Sequence, residues 1–78
     1  MSTPTAPVVR TESVFGRTGH HTITLVVVCP FCDSEHRHAA GSTIMNAHRH
    51  LGRLRAECGR REYDVVDSNA LLPVQVAA

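Results

Sequence analysis

Apolar and polar positions alternate most regularly over "HHTITLVVV", residues 20–28. Ile23, Leu25 and Val27 fall on one side of an extended chain, with Thr22, Thr24 and Val26 on the other. β-branched residues crowd this stretch, as a pleated surface prefers, so it predicts a strand. "VVRTESVF" (8–15) reads as a second strand, and "GRTG" (16–19) supplies two glycines for a turn between them. A hairpin of 8–15 with 20–28 follows. Downstream, "SEHRHA" is long enough for a short returning strand. "RLRAEC" (53–58) alternates arginine with Leu54 and Ala56, and "REYDVV" (61–66) places Tyr63 and Val65 on one face. Gly59 between them turns the chain into another hairpin. The segment 42–51 reads as a short helix, with Ser42 as its cap and Ile44, Ala47, His48 and Leu51 on one face; Gly52 would end it. A loop carrying His48 and His50 is the alternative.

The flanks read differently. Residues 1–7 have two prolines and small polar residues, the pattern of a flexible leader. Residues 68–78 form an apolar tail. Its Leu71, Leu72, Val74 and Val76 either fold back on the sheet or meet a partner. The expected organisation is therefore a leader (1–7), a folded domain (8–67) and a tail (68–78), with no internal repeat.

Composition changes this picture by making a staple necessary. The chain has 78 residues, no Trp, one Tyr and two Phe, so its core is small. Domains of this size are usually held by disulfides, a metal or a partner. Three cysteines cannot all pair within one chain, which argues against a secreted disulfide framework. The N-terminus has no basic start followed by an apolar core, and no run reaches the roughly 18 apolar residues of a membrane span. The expectation is a cytoplasmic protein with no membrane partner, whose reduced thiols are free to hold a metal.

"CPFCDSEHRH" (29–38) concentrates that chemistry. Cys29-x-x-Cys32 is a zinc-knuckle spacing: the turn aims both sulfurs at one point. Cys58, in "ECGRR", lies where the second hairpin turns and has glycine immediately after it. Two cysteine turns side by side at the tips of two hairpins make a zinc ribbon. The expected fold is therefore a small, metal-stabilised, mostly β domain, a zinc-ribbon-like pair of hairpins with one short helix at 42–51. Zinc takes four ligands in a tetrahedron from thiolate and imidazole, so one position remains beside the three cysteines. A strand leaving the knuckle recedes by about 3.3 Å per residue. That makes His36 the nearest fourth ligand and His38 the alternative, with His48 and His50 further candidates from the loop. A redox reading of the cysteine pair has little support, because no helix opens at Cys29 to depress a thiol pKa. With one structural zinc ion held by four ligands the site is closed, and the expectation is a protein that is not an enzyme. Asn46 among the histidines invites comparison with His-Asn-His nucleases, but no convincing helix carries the final histidine.

The pattern Cys29, Pro30, Cys32, then His36 and His38, then Gly52, Ala56 and Cys58 resembles small zinc-ribbon-like proteins of actinobacteria and their phages. The resemblance spans roughly residues 23–66. It implies a metal-stapled fold and an actinobacterial or phage origin rather than an activity. Asp33 stands where many such knuckles carry glycine.

Charge suggests partners. The net charge is +1, yet residues 36–61 carry six arginines against Glu57, together with four histidines. All eight basic residues are arginine. A GC-rich genome produces that bias, and so does a need for forked donors that grip phosphate. Arg37, Arg49, Arg53, Arg55, Arg60 and Arg61 are expected around the metal site as a surface for nucleic acid. Few aromatic residues are available to stack on bases. The alternative is a protein-interaction module engaging a host or virion protein through the N-terminal arm or the apolar tail.

Overall fold

The computed structural model describes residues 3–17 and 19–73. Five strands form one sheet: β1 (Thr5–Phe15), β2 (His21–Val28), β3 (Glu35–Ala39), β4 (Gly52–Arg55) and β5 (Glu62–Val66), with a 3₁₀ helix at Ile44–His50. Their spatial order is β3-β2-β1-β5-β4. The architecture is a small, mostly β domain whose β2–β3 and β4–β5 hairpins each carry a cysteine turn, in the manner of a zinc ribbon.

β1 joins the two halves. Its C-terminal part pairs antiparallel with β2, from Val8 opposite Val27 to Phe15 opposite His21. Its first three residues, Thr5–Pro7, pair parallel with Asp64–Val66 of β5. The expected leader thus begins the central strand from Thr5 onward, and Ala6 is fully buried. Pro7 lacks a backbone donor and would break an ordinary central strand. It is accommodated because pairing with β2 starts only at Val8. Between these two regimes the register slips: Val8 faces Val27 but Arg10 faces Val26, leaving Val9 as a bulge. The extra residue reverses the alternation. Ala6 and Val8 point into the core, whereas Arg10 and Glu12 point away from it.

The inner face collects Val8, Leu25, Val27, Tyr63 and Val65, all at or below 1% exposure, with Ile23, Ala40, Ala47, Ala56 and Leu72 around them. Ile44, Leu51 and Leu54 pack against this cluster. The expected helical face is therefore the one that turns inward. The helix is capped by Thr43 rather than Ser42; the Thr43 hydroxyl bonds no helix N–H and instead accepts from the Asn46 side-chain amide at 3.2 Å. Gly52 follows the last helical turn at φ +116 and opens β4, a backbone geometry that favours glycine. At the other end, Asp67 accepts hydrogen bonds from the backbone N–H groups of Leu71 and Leu72, which swings Leu72 onto the core. Leu71 stays exposed, and Val74 and Val76 lie outside the described residues.

The outer face is a charge lattice. Arg10 holds Glu35 through two bonds of 2.6 and 2.9 Å, Glu12 accepts from Arg37 at 2.9 Å, and Arg10 and Glu12 stand 3.5 Å apart. The Arg37 and Arg10 guanidiniums lower the Glu12 carboxyl, and Arg10 lowers Glu35. Val26, flanked in register by Arg10 and Arg37, is completely buried on this face.

Candidate metal centre

The first knuckle is built by a tight turn between β2 and β3. The Asp33 N–H bonds to the Cys29 carbonyl at 2.9 Å, and the Cys29 N–H bonds to the Ser34 carbonyl at 2.9 Å. Asp33 sits at φ +62, the left-handed conformation that favours glycine and that aspartate tolerates better than most residues. The knuckle therefore keeps its shape without glycine at this position. The Phe31 N–H points at Cys29 Sγ from 3.4 Å. The second turn joins β4 to β5 and is closed by the Ala56 N–H bonding to the Arg61 carbonyl at 2.9 Å. It presents Cys58.

The two turns meet. Donor atoms of Cys29, Cys32, His36 and Cys58 all lie within 4.8 Å of one another. Cys29 Sγ is 3.6 Å from Cys58 Sγ, and Cys32 Sγ is 3.3 Å from His36 Nε2. A tetrahedral ion with thiolate bonds of about 2.3 Å and an imidazole bond near 2.0 Å needs edges of about 3.8 and 3.5 Å. The donor set and its spacing fit such an ion, and these four groups can hold one. Cys29 and His36 are buried; Cys32 and Cys58 face solvent.

Crowding of the sulfurs points the same way. Burial pushes the Cys29 thiol up, but the Phe31 and Cys32 N–H groups and the neighbouring thiols outweigh it, leaving Cys29 below its ordinary value. Cys58 is pushed up to about 11 by desolvation and by the sulfurs of Cys29 and Cys32. Three thiolates this close repel one another, and a shared cation relieves the repulsion.

His36 reaches the group because β3 begins at Glu35 and pairs His36 with Val27, on the inner face two residues from Cys29. His38, the alternative ligand, lies one step further along that face, opposite Leu25. Its Nε2 meets the Tyr63 hydroxyl instead of the sulfurs. The same hydroxyl stands 3.3 Å from His36 Nδ1. With His36 Nε2 turned to the cysteines, Nδ1 carries the proton and donates to Tyr63, which donates in turn to His38. Tyr63 is pushed up to about 12 by burial and by the Cys29 charge, so it keeps its proton. Burial also lowers His38, against a smaller upward pull from Glu57. This dyad behind His36 was not anticipated from the sequence. Its signal was the inward phase of the single tyrosine, shared with Val65.

His48 and His50 lie on the 3₁₀ helix, outside the cluster. His48 Nδ1 contacts the Met45 carbonyl. The arginines do not form one patch. Arg37 is on the face opposite His36 and His38, bonded to Glu12. Strict alternation along "HRH" requires that separation. Arg53 lies 4.0 Å from Asp64 and donates to the Thr3 hydroxyl. Arg55 is exposed and pairs in register with Glu62. Arg60 and Arg61 stand on the Cys58 turn. Among the described residues neither forms an ion pair, and Arg61 lies 4.9 Å over the Phe31 ring. No helix among the described residues is long and apolar enough to cross a membrane. The chain matches no protein-family model, no curated protein and no solved structure.

Proposed function

We propose that this chain is a zinc-stabilised binding module whose cysteine-turn end contacts nucleic acid. The observation that carries the reading is the convergence of Cys29, Cys32, His36 and Cys58 from two hairpin turns far apart in sequence. Three thiolates and one imidazole favour zinc over harder ions. Four protein donors leave no open position for a reacting water, which supports a structural ion and a non-catalytic role. Free thiols at this centre suit the reducing cytoplasm. The resemblance to zinc-ribbon-like proteins of actinobacteria and their phages belongs to the same reading, and the all-arginine basic content suits such an origin.

The nucleic-acid surface narrows from the broad arginine patch to Arg49, Arg55, Arg60 and Arg61, because Arg37 and Arg53 already face carboxylates. An electrophoretic shift tests it. Arg60→Glu with Arg61→Glu should abolish a salt-sensitive shift, and Arg60→Ala with Arg61→Ala should lower the salt slope by about two. Arg37→Glu should leave binding nearly intact. Equal binding by wild type and the Arg60/Arg61 charge reversal would refute this surface.

A second reading, a protein-interaction module, is favoured by one observation. Val14 and Phe15 at the tip of the β1–β2 hairpin are 53% and 64% exposed. The surfaces first expected for this role are partly used by the fold itself: Ala6 of the arm and Leu72 of the tail are buried. A nuclease-resistant complex lost on Phe15→Ser would select this reading.

A further inference from the structure

Beside the exposed edge of the metal centre lies a half-open pocket of about 350 Å³, lined by Phe31, Cys32, Ala56, Cys58, Arg60 and Arg61. We infer that this pocket binds a single phosphate group, with the Arg60 and Arg61 guanidiniums as its donors. The inference rests on the metal-binding half of the function proposed above.

Three observations carry it. First, the outer-face arginines are already matched with acids, whereas Arg60 and Arg61 are adjacent and make no ion pair among the described residues. Two neighbouring forked cations at one rim are the chemistry that grips phosphate. Second, Arg61 is held in place. Its guanidinium sits over Phe31, and Phe31 stacks on Tyr63 with ring centres 6.2 Å apart and planes 14° from parallel. Tyr63 contacts His36. A donor held this way loses less freedom on binding than a free side chain. Third, the pocket size selects the ligand. At about 350 Å³ it falls at the small end of ligand sites and takes one phosphorylated group rather than a length of duplex. Three thiolates around a divalent ion carry one excess negative charge, and two guanidiniums more than offset it. The stack ties the pocket to the metal centre, so phosphate binding should require the metal.

The test uses the full chain loaded with cobalt(II), whose visible bands report the metal centre and whose unpaired electrons accelerate phosphorus relaxation nearby. With inorganic phosphate as the probe, the wild type should show saturable enhancement of ³¹P relaxation. Arg61→Ala should weaken phosphate about tenfold or more while the cobalt bands persist, since a charge-assisted bond is lost. Arg61→Lys should recover only part of the loss. Displacement by a mononucleotide but not by an unphosphorylated-end oligonucleotide assigns the group to a free phosphomonoester. Displacement by the oligonucleotide assigns it to a nucleic-acid backbone. No saturable enhancement in the cobalt-loaded wild type, or equal affinity in wild type and Arg61→Ala, would overturn the inference. Absence of the cobalt bands would instead overturn the metal reading on which it stands.

Discussion

Tyr63→Phe removes one oxygen and leaves the ring. The stack on Phe31 and the core contacts of the ring remain, so the change isolates the hydroxyl. That hydroxyl joins His36 Nδ1, 3.3 Å away, to His38 Nε2. Without it, the Nδ1–H of a histidine only 7% exposed has no acceptor in place. Such a buried, unsatisfied donor costs about 1–3 kcal/mol. Removing a buried hydroxyl returns part of that by easing desolvation, so a net loss of about 1.4–2 kcal/mol is expected, or roughly ten- to thirtyfold in metal affinity. This agrees with the usual tenfold to hundredfold effect of outer hydrogen-bond partners on metal sites. Competition with a calibrated chelator, followed through the visible bands of cobalt(II), measures it. Tetrahedral bands should survive while the dissociation constant rises. An affinity within twofold of wild type would refute the role assigned to the hydroxyl and the tautomer assigned to His36.

Further outcomes follow from the same geometry. Cys58 is exposed, and most exposed substitutions change stability by less than about 0.5 kcal/mol; Cys58→Ser should nevertheless unfold the domain as thoroughly as Cys29→Ser, and a wild-type melting curve for Cys58→Ser would count against a shared ion. Deleting Val9 should leave the sheet standing, because removing the bulge residue makes the pairs Val8–Val27 and Arg10–Val26 consecutive and keeps Arg10 and Glu12 on the outer face; loss of the sheet on this deletion would refute the register. Glu12 and Glu35 are held below the ordinary carboxylate value of 4.5, Glu12 chiefly by Arg37 and Glu35 chiefly by Arg10. Their contribution to stability is therefore present above that value and disappears as pH falls through the lowered one. In an NMR titration, Arg10→Ala should return Glu35 toward 4.5 and Arg37→Ala should do the same for Glu12; unmoved midpoints would show that these pairs do not form in solution.

Much of the site was legible because its signals are local. Cys29-x-x-Cys32 sets a knuckle by spacing alone, and Cys58 beside Gly59 marks the second turn. The stretch 20–28 declares its inner face through Ile23, Leu25 and Val27. What was hidden depends on pairing between distant segments. Pro4 and Pro7 disguise the start of β1, since proline reads as a breaker unless the absent neighbour on one side is known. The Val9 bulge cannot be seen without β2 opposite it. Arg37 belonged on paper to a basic cluster. Its place between two metal-facing histidines sends it to the other face, where Glu12 waits twenty-five residues away. Tyr63 finds His36 and His38 only once β5 and β3 lie at either side of the shared core.

The decisive measurement is native mass spectrometry of the purified chain, before and after a strong chelator, with circular dichroism on the same samples. One divalent ion per chain should be present, and its removal should abolish the strand signal, because binding of a structural ion supplies on the order of 10 kcal/mol to folding in such domains. A chain that carries no stoichiometric metal and keeps its strand signal unchanged would contradict the metal centre.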